Sequence, residues 1–172
     1  MADGFDQIEK QVLAQCLETF RAFALRAFTD MQIDTRLGGS DGGAHGSPVR
    51  SGRYAASLRI SLNSVDNSVE PAVKPYPRAD LSPAERIVAN HPLADALAVL
   101  RQFKFGDKII ISNSLPYAGA IESSTKKDGA GWSPKAPGGV FRPSLLWTQA
   151  RYQAAFDQLG LNVSVNIQSE AS

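Results

Sequence analysis

Cysteine is almost absent from this sequence, and so is any excess of charge of one sign. Cys16 is the only cysteine in 172 residues, which excludes an intramolecular disulfide and a zinc site built from several cysteines. The 18 Lys and Arg residues nearly balance the 17 Asp and Glu residues, for a formal net charge of +1. Proteins that act by wrapping nucleic acid normally carry a basic excess, so the composition disfavours that class.

Long hydrophobic runs are also missing. No uninterrupted apolar stretch approaches the roughly 18 residues of a membrane-spanning helix. The first residues are acidic and lack the basic-then-apolar pattern of a signal peptide. With 43% hydrophobic and 20% charged residues, the chain has the composition and length of one ordinary globular domain. We therefore expect a single soluble domain over residues 1–172 that is made in the cytoplasm and has no membrane partner.

Groups that carry catalysis are scarce. His45 and His91 are the only histidines, both beside loop-forming residues, and neither Gly-x-Ser-x-Gly nor His-x-x-x-His occurs. Cys16 lies on the apolar side of a predicted helix, which favours a core residue over a nucleophile. Glu122 is a candidate general acid, but a carboxylate in its setting is more often a surface or helix-capping charge. We expect no enzyme, no cofactor and no metal site, with a small hydrolase using His45 or His91 as an alternative.

The hydrophobic periodicity predicts an α+β fold. One long N-terminal helix is indicated from residue 5 to about residue 31 by an apolar stripe at three- and four-residue steps: Phe5, Ile8, Val12, Cys16, Phe20, Phe23 and Ala27. Further helices are predicted near 52, from 82 to 103 with a break at 91–92, at 119–122 and at 143–159, and strands at 59–63, 108–113 and 161–167. We expect the long N-terminal helix and the C-terminal helix to pack on a small, mainly antiparallel sheet, with long loops at about 38–47, 64–81 and 123–139.

The C-terminal helix has its own apolar set and a clear stop. Its apolar residues are Leu145, Leu146, Ala150, Ala154, Ala155 and Leu159. Gly160 follows them as the predicted end of the helix. Trp147 lies within this helix, and we expect it to pack in the core.

Two basic clusters and one tryptophan are candidates for an interface. The basic residues are Arg50, Arg53 and Arg59 in the first cluster, and Lys126, Lys127 and Lys135 in the second. Such clusters are either solvated charge or contacts with a partner or with a phosphate backbone. Trp132 lies in a segment rich in Gly, Ser and Pro, where it is either locally packed or an interface anchor.

Two segments together resemble one family of bacteriophage proteins. The first segment, at 47–57, reads SPVRSGRYAAS and is similar to a Ser/Thr-Pro-Val…Gly segment of the neck or tail-completion proteins of long-tailed phages. The second, at 109–122, reads IIISNSLPYAGAIE and is similar to an Asn…Pro-Tyr-Ala…Glu segment of the same family. PKAPGGV at 134–140 resembles a third short segment that precedes the C-terminal helix. The positions that carry the resemblance as fold determinants are Pro48, Gly52, Asn113, Pro116, Tyr117 and Glu122. The sequence departs from the family pattern at Ser51, at Tyr54, at Ser123-Ser124 and in the lengthened stretch 66–92.

The resemblance implies a structural role in a virion. Such proteins assemble as a ring, commonly a hexamer, that joins the DNA-filled head to the tail or caps the tail tube. The implied partners are further copies of the chain, the connector and tail-tube proteins, and genomic DNA that passes through the lumen without sequence-specific binding. Under this hypothesis the loops, with Trp132 and the basic residues, are the expected interfaces. A DNA-binding or regulatory module that uses Arg50, Arg53 and Lys126 is the main alternative.

Overall fold

The computed structural model describes residues 2–32, 53–71, 93–122 and 139–161. Its elements, in chain order, are α1 (Ala2–Gln32), α2 (Arg53–Ala56), β1 (Leu58–Leu62), α3 (Leu93–Gln102), β2 (Ile109–Asn113), α4 (Ala118–Glu122) and α5 (Phe141–Gln158). The long N-terminal helix, the C-terminal helix and a small antiparallel sheet confirm the α+β prediction. The predicted loop 38–47, the helical turn from 82 to 92, the loop 123–138 and the strand beyond Leu161 lie outside the described residues, as do His45 and His91.

The sheet within the described residues is one antiparallel pair. β1 and β2 run in register, with Leu58 opposite Asn113 and Leu62 opposite Ile109. Leu58 and Ile60 are buried, as the alternating pattern of β1 predicts. At the open end of the pair, Asn63 adopts a left-handed φ of 64°, a conformation that asparagine tolerates better than most residues.

The core forms where the second half of α1 meets α5, which runs antiparallel to it. Phe23 packs edge-on against Phe156 with ring centroids 5.3 Å apart, and Phe20 lies 5.8 Å from the same ring. Phe28 and Phe156 are almost fully buried. On another side α1 contacts α3, where Arg21 donates hydrogen bonds to the carbonyl oxygens of Arg101 and Phe103 and so caps the end of that helix. The apolar stripe that sequence periodicity predicts is therefore buried from Cys16 onward.

The buried face of α5 differs from the apolar set expected for it. Its fully buried positions include Ser144 and Thr148, whereas Leu146 is 56% exposed. At Thr148 the reason is Asp30 on α1, a fully buried side chain that lies 3.0 Å from the Thr148 hydroxyl and accepts a hydrogen bond from Arg26 Nε at 3.0 Å. The Thr148 hydroxyl also lies 2.8 Å from the Ser144 carbonyl oxygen, so its one hydrogen is shared between two acceptors. A buried charge requires polar partners, so polar residues occupy the centre of this helix contact.

Trp147 is half-buried beside this pair rather than in the core. The guanidinium of Arg151 lies 3.5 Å from the centroid of its ring, and that of Arg26 lies 5.5 Å from it. The expectation that Trp147 packs in the core is thus wrong in detail. Its ring is a platform for two cations at the edge of the α1–α5 contact.

The end of α5 is fixed by its backbone. Gly160 has a φ of 64°, and the amide of Leu161 donates to the carbonyl oxygen of Phe156 at 2.9 Å while that of Gly160 donates to Asp157. This pair of bonds is a Schellman motif, which requires a residue that accepts the left-handed conformation. Gly160 therefore ends the helix, as the sequence predicts. Within the described ranges, no helix combines the length and apolar character needed to cross a membrane.

Candidate functional site at the Tyr54–Glu122 corner and the apolar end of α1

Glu122 holds the start of α5. Its carboxylate accepts hydrogen bonds from the backbone amides of Val140 at 3.0 Å and Phe141 at 3.1 Å. Val140 occupies the N-cap position and has no side chain that can cap. A carboxylate from α4, at the end of a separate element, therefore satisfies amides at the positive end of the α5 dipole.

Tyr54 is the second partner of this carboxylate. Its hydroxyl donates to Glu122 Oε1 at 2.6 Å, and its ring is buried at 3% exposure. Burial raises the pKa of Tyr54 well above its usual value, and the adjacent charge of Glu122 raises it further. Tyr54 is one of the positions where the sequence departs from the family pattern, and the structure gives it a defined contact. It stays protonated and donates at neutral pH.

Asn113 connects the corner to the sheet. Its amide nitrogen donates to the carbonyl oxygen of Tyr54 at 2.9 Å, and its side-chain oxygen accepts from the amide of Leu115 at 3.2 Å. The second bond turns the chain out of β2, where Pro116 stands exposed in the turn and Tyr117 lies half-buried against the core. The described residues of both resembling segments therefore meet around Tyr54. We name this group, Tyr54, Asn113, Glu122, Gly139 and Val140, the motif corner.

Gly139 completes the motif corner at a position that strongly favours glycine. Its φ is 79°, and a Cβ at this position would lie 2.7 Å from Glu122 Oε2 and 3.2 Å from the Glu122 carbonyl oxygen. The left-handed backbone favours glycine, and a side chain here would have to displace the carboxylate of Glu122. Glu122 and Gly139 therefore lie next to one another.

The basic residues of the first cluster that the structure describes bind their own chain. Arg53 Nε donates to the carbonyl oxygen of Glu70 at 2.9 Å. Arg59 donates to the carbonyl oxygens of Ala56 and Leu58, to Ser68 Oγ and to Glu70 Oε1. These bonds hold the irregular stretch 65–71 against β1, which favours a structural role for Arg59. The other predicted interface and motif residues, Arg50, Lys126, Lys127, Trp132, Lys135, Pro48 and Gly52, lie outside the described residues, so their roles stay predictions.

The first part of α1 has no partner within the described residues. Every residue from 5 to 15 is exposed, although the apolar stripe continues through it. Phe5 is 79% exposed, Ile8 59%, Val12 46% and Leu13 44%. An open groove of about 460 Å³ lies where this part of α1 passes the end of α5, lined by Val12, Gln15, Thr19, Ala155, Gln158 and Leu159. We name Phe5, Ile8, Val12 and Leu13 the apolar end of α1.

The hydrogen bonds of Glu122 involve both of its carboxylate oxygens. The Glu122 carboxylate is engaged by two backbone amides and a tyrosine hydroxyl, an arrangement that caps a helix. Among the described residues, no group of three or more His, Cys, Asp or Glu side chains is placed to hold a metal ion.

Sequence reasoning missed two features of the site. It did not pair Tyr54 with Glu122, because no local signal announces a bond over 68 positions. It also did not foresee that the stripe of α1 is buried over only part of its length. The Gly-Gly-Val at 138–140, directly before a helix, was the one available signal for a backbone position that requires glycine. No protein-family model matches the chain, and comparison with curated proteins and with solved structures finds no match.

Proposed function

We propose that the protein is a structural component of a bacteriophage head–tail junction, which assembles as a ring that joins or caps the tail tube. The observation that carries the proposal is the motif corner. Residues from the two resembling segments, distant in sequence, bind one another through the bonds of Asn113 and Glu122 to Tyr54. Asn113 matches the resembling pattern and binds the backbone of Tyr54, whereas the bond from the Tyr54 side chain to Glu122 is particular to this sequence. The two resembling segments therefore lie side by side in the fold.

The motif corner has a use in such an assembly. It places Glu122 next to Gly139, the two residues that flank 123–138. The sequence between them contains Trp132 and the three candidate interface lysines. A binding segment presented from a rigid base loses less entropy on association than one that is free at its ends. Under the proposal, the corner is the base and residues 123–138 supply contacts to a neighbouring subunit or to a connector protein.

The apolar end of α1 also supports assembly. Contiguous exposed apolar patches on a soluble protein often mark interaction sites. Four large apolar side chains are exposed together at this end of the helix: Phe5, Ile8, Val12 and Leu13. A ring is built from head-to-tail contacts between two unlike surfaces of each subunit, and an apolar surface of this kind suits one side of such a contact.

The alternative of a DNA-binding or regulatory module draws less support. Arg53 donates to the carbonyl oxygen of Glu70, and Arg59 donates to Ser68, to Glu70 and to the carbonyl oxygens of Ala56 and Leu58. The first basic cluster therefore offers less charge to a partner than the sequence indicates. The proposal expects contact with DNA only as passage through a lumen, with weak affinity of the free subunit.

The proposal is tested by the mass of the purified protein. Light scattering over a concentration range, with negative-stain imaging of each peak, should give rings of about six subunits, either alone or after addition of connector or tail-tube proteins. A protein that stays monomeric with every virion partner contradicts the proposal. Duplex-DNA affinity that is strong and falls steeply with salt would then favour the alternative.

A further inference from the structure

The exposed apolar stripe on α1 needs an occupant that its own chain does not supply within the described residues. α5 covers α1 only as far as the groove at Val12 and Leu159, and the first turns of α1 extend beyond it. The continuation of the same periodic stripe is bound by α5 and α3 from Cys16 onward. The exposed part of the stripe is thus as apolar as the buried part, but no helix covers it among the described residues.

We propose that the apolar end of α1 docks on the outward face of α5 in a second copy of this chain. This inference rests on the proposed function, because a ring needs such a head-to-tail contact, and it names the surfaces that make it. The outward face consists of the exposed positions at four-residue steps along α5: Arg142, Leu146, Ala150 and Ala154. Its largest apolar side chain is Leu146, which is 56% exposed.

The apolar parts of the two surfaces have the same length. From Phe5 to Leu13 and from Leu146 to Ala154 there are eight residue steps each, or about 12 Å of helix. The apolar residues of α1 are large, while Ala150 and Ala154 present little side-chain bulk beside Leu146. Large residues on one helix that enter a groove of small ones on another give the close packing of ridges into grooves.

The charges beside the two surfaces are complementary. Asp6, Glu9 and Lys10 are exposed at the apolar end of α1, a net charge of −1, whereas Arg142, Arg151 and Asp157 are exposed at or beside the outward face of α5, a net charge of +1. When the two eight-step stretches are aligned, Ile8 and Glu9 at the middle of one lie opposite Ala150 at the middle of the other. This holds for parallel and for antiparallel helices. Opposite charges on the rims favour this pairing over contact between two acidic helix ends.

The two surfaces of one copy cannot meet each other. The buried positions Thr148 and Phe156 face α1, so Leu146 and Ala150 point away from it. Each copy therefore offers one donor surface and one acceptor surface, and every contact leaves one of each free. Contacts of this kind are heterologous, and they generate closed rings when the rotation per subunit closes.

Cross-linking between two single-cysteine proteins tests this docking. In a Cys16→Ala background of the full-length chain, Ile8→Cys protein is mixed with Ala150→Cys protein of different mass and oxidised. We expect the mixed disulfide dimer as the main product. Gln7→Cys, which lies on α1 away from the stripe, is the matched control and should give at least tenfold less. Absence of the mixed product, or a preference for Ile8→Cys joined to itself, overturns the proposal.

A charge variant gives a second readout that does not depend on cysteine. Ile8→Glu should weaken self-association at least tenfold by light scattering, while Gln7→Glu, which adds the same charge one residue away, should leave it unchanged. Both positions are exposed, so thermal unfolding should show both variants folded. Rings that persist in Ile8→Glu and show no mixed cross-link overturn the docking but leave the proposed function standing. A chain that is monomeric with all partners overturns both.

Discussion

The two halves of α1 carry the same apolar pattern and have opposite surroundings. From Cys16 to Gln32 the stripe is buried against α3, α5 and the sheet, and its positions Ala27, Phe28 and Met31 are almost wholly inaccessible to water. From Phe5 to Gln15 every residue is exposed. The helix continues through both parts without a break in its backbone.

The difference shows what hydrophobic periodicity encodes. A stripe at three- and four-residue steps specifies a helix with one apolar face, but it does not say what covers that face. The buried half stabilises the folded chain, whereas the exposed half gains no such burial from the described residues. The comparison thus separates residues whose replacement should destabilise the fold from residues whose replacement should leave its stability unchanged.

The largest expected effect is loss of stability on truncation in the buried half. Phe28→Ala should lower the free energy of unfolding by about 3–5 kcal/mol, because a fully buried ring leaves a cavity. Phe5→Ala is the matched variant in the exposed half and should stay within about 0.5 kcal/mol. Urea denaturation of the dilute protein measures both. Equal losses would mean that the two halves do not differ as described.

The contact between α5 and the buried half depends on how α5 begins, which Gly139→Ala should disturb. The new Cβ would meet the Glu122 carboxylate in a backbone conformation that alanine disfavours, for a loss of about 3 kcal/mol. Gly160→Ala has a similar positive φ with open space around it and should lose only about 1 kcal/mol. Thermal unfolding distinguishes the two. If both losses are equal, the close approach to Glu122 has no energetic consequence.

Removal of the capping charge itself should cost somewhat less. Glu122→Gln keeps the shape of the side chain but replaces acceptors of three hydrogen bonds by an amide with one oxygen, a loss of about 2 kcal/mol. Exchange of the Val140 and Phe141 amides with deuterium should accelerate in this variant. Unchanged protection of these two amides would show that Glu122 does not cap α5.

A smaller effect is expected where Thr148 meets Asp30 across the buried half. Thr148→Val preserves volume but removes the donor to a fully buried carboxylate, for a loss of about 1–2 kcal/mol. Thr19→Val removes a hydroxyl whose bond to Gln15 is local and exposed, so it should be close to neutral. Chemical denaturation compares them. A neutral Thr148→Val would mean that Arg26 alone satisfies Asp30.

The smallest effect is the dependence of stability on pH. Because the folded state raises the pKa of Tyr54, the unfolded chain loses this proton first, and stability should fall as the pH rises above about 10. Tyr54→Phe should flatten this alkaline fall. An alkaline profile that Tyr54→Phe leaves unchanged would contradict the assignment of the fall to Tyr54.

In acid, the pKa values of two other groups matter. Hydrogen bonds from Ser68 and Asn63 lower the pKa values of Asp66 and Asp107, so their contribution to stability is present above about pH 4 and is lost below it.

Sequence patterns predicted the elements of the fold better than their partners. The periodicity of α1 and the isoleucines of β2 gave elements that the structure has, with ends displaced by up to about three residues. Thr148 was missed as a core residue because its burial depends on Asp30, which lies 118 positions earlier. A polar residue at a core position carries no local signal until its distant partner is known.

The motif corner shows the same limit. The sequence indicated Glu122 as a surface or helix-capping charge, but not the helix that it caps. Val140 lies 18 positions away and Tyr54 lies 68 positions away, so only the folded chain brings them together. Among the described residues no element covers the exposed half of α1, and its apolar pattern alone does not say what does.

Light scattering of the wild-type chain and of Ile8→Glu, side by side over the same concentration range, tests the central claim most directly. If the exposed half of α1 is an assembly surface, the wild type should rise from 18.5 kDa toward a fixed multiple near six, and Ile8→Glu should remain at 18.5 kDa while it unfolds at the same temperature. Identical masses for the two proteins at every concentration, with and without tail-tube or connector partners, would contradict it.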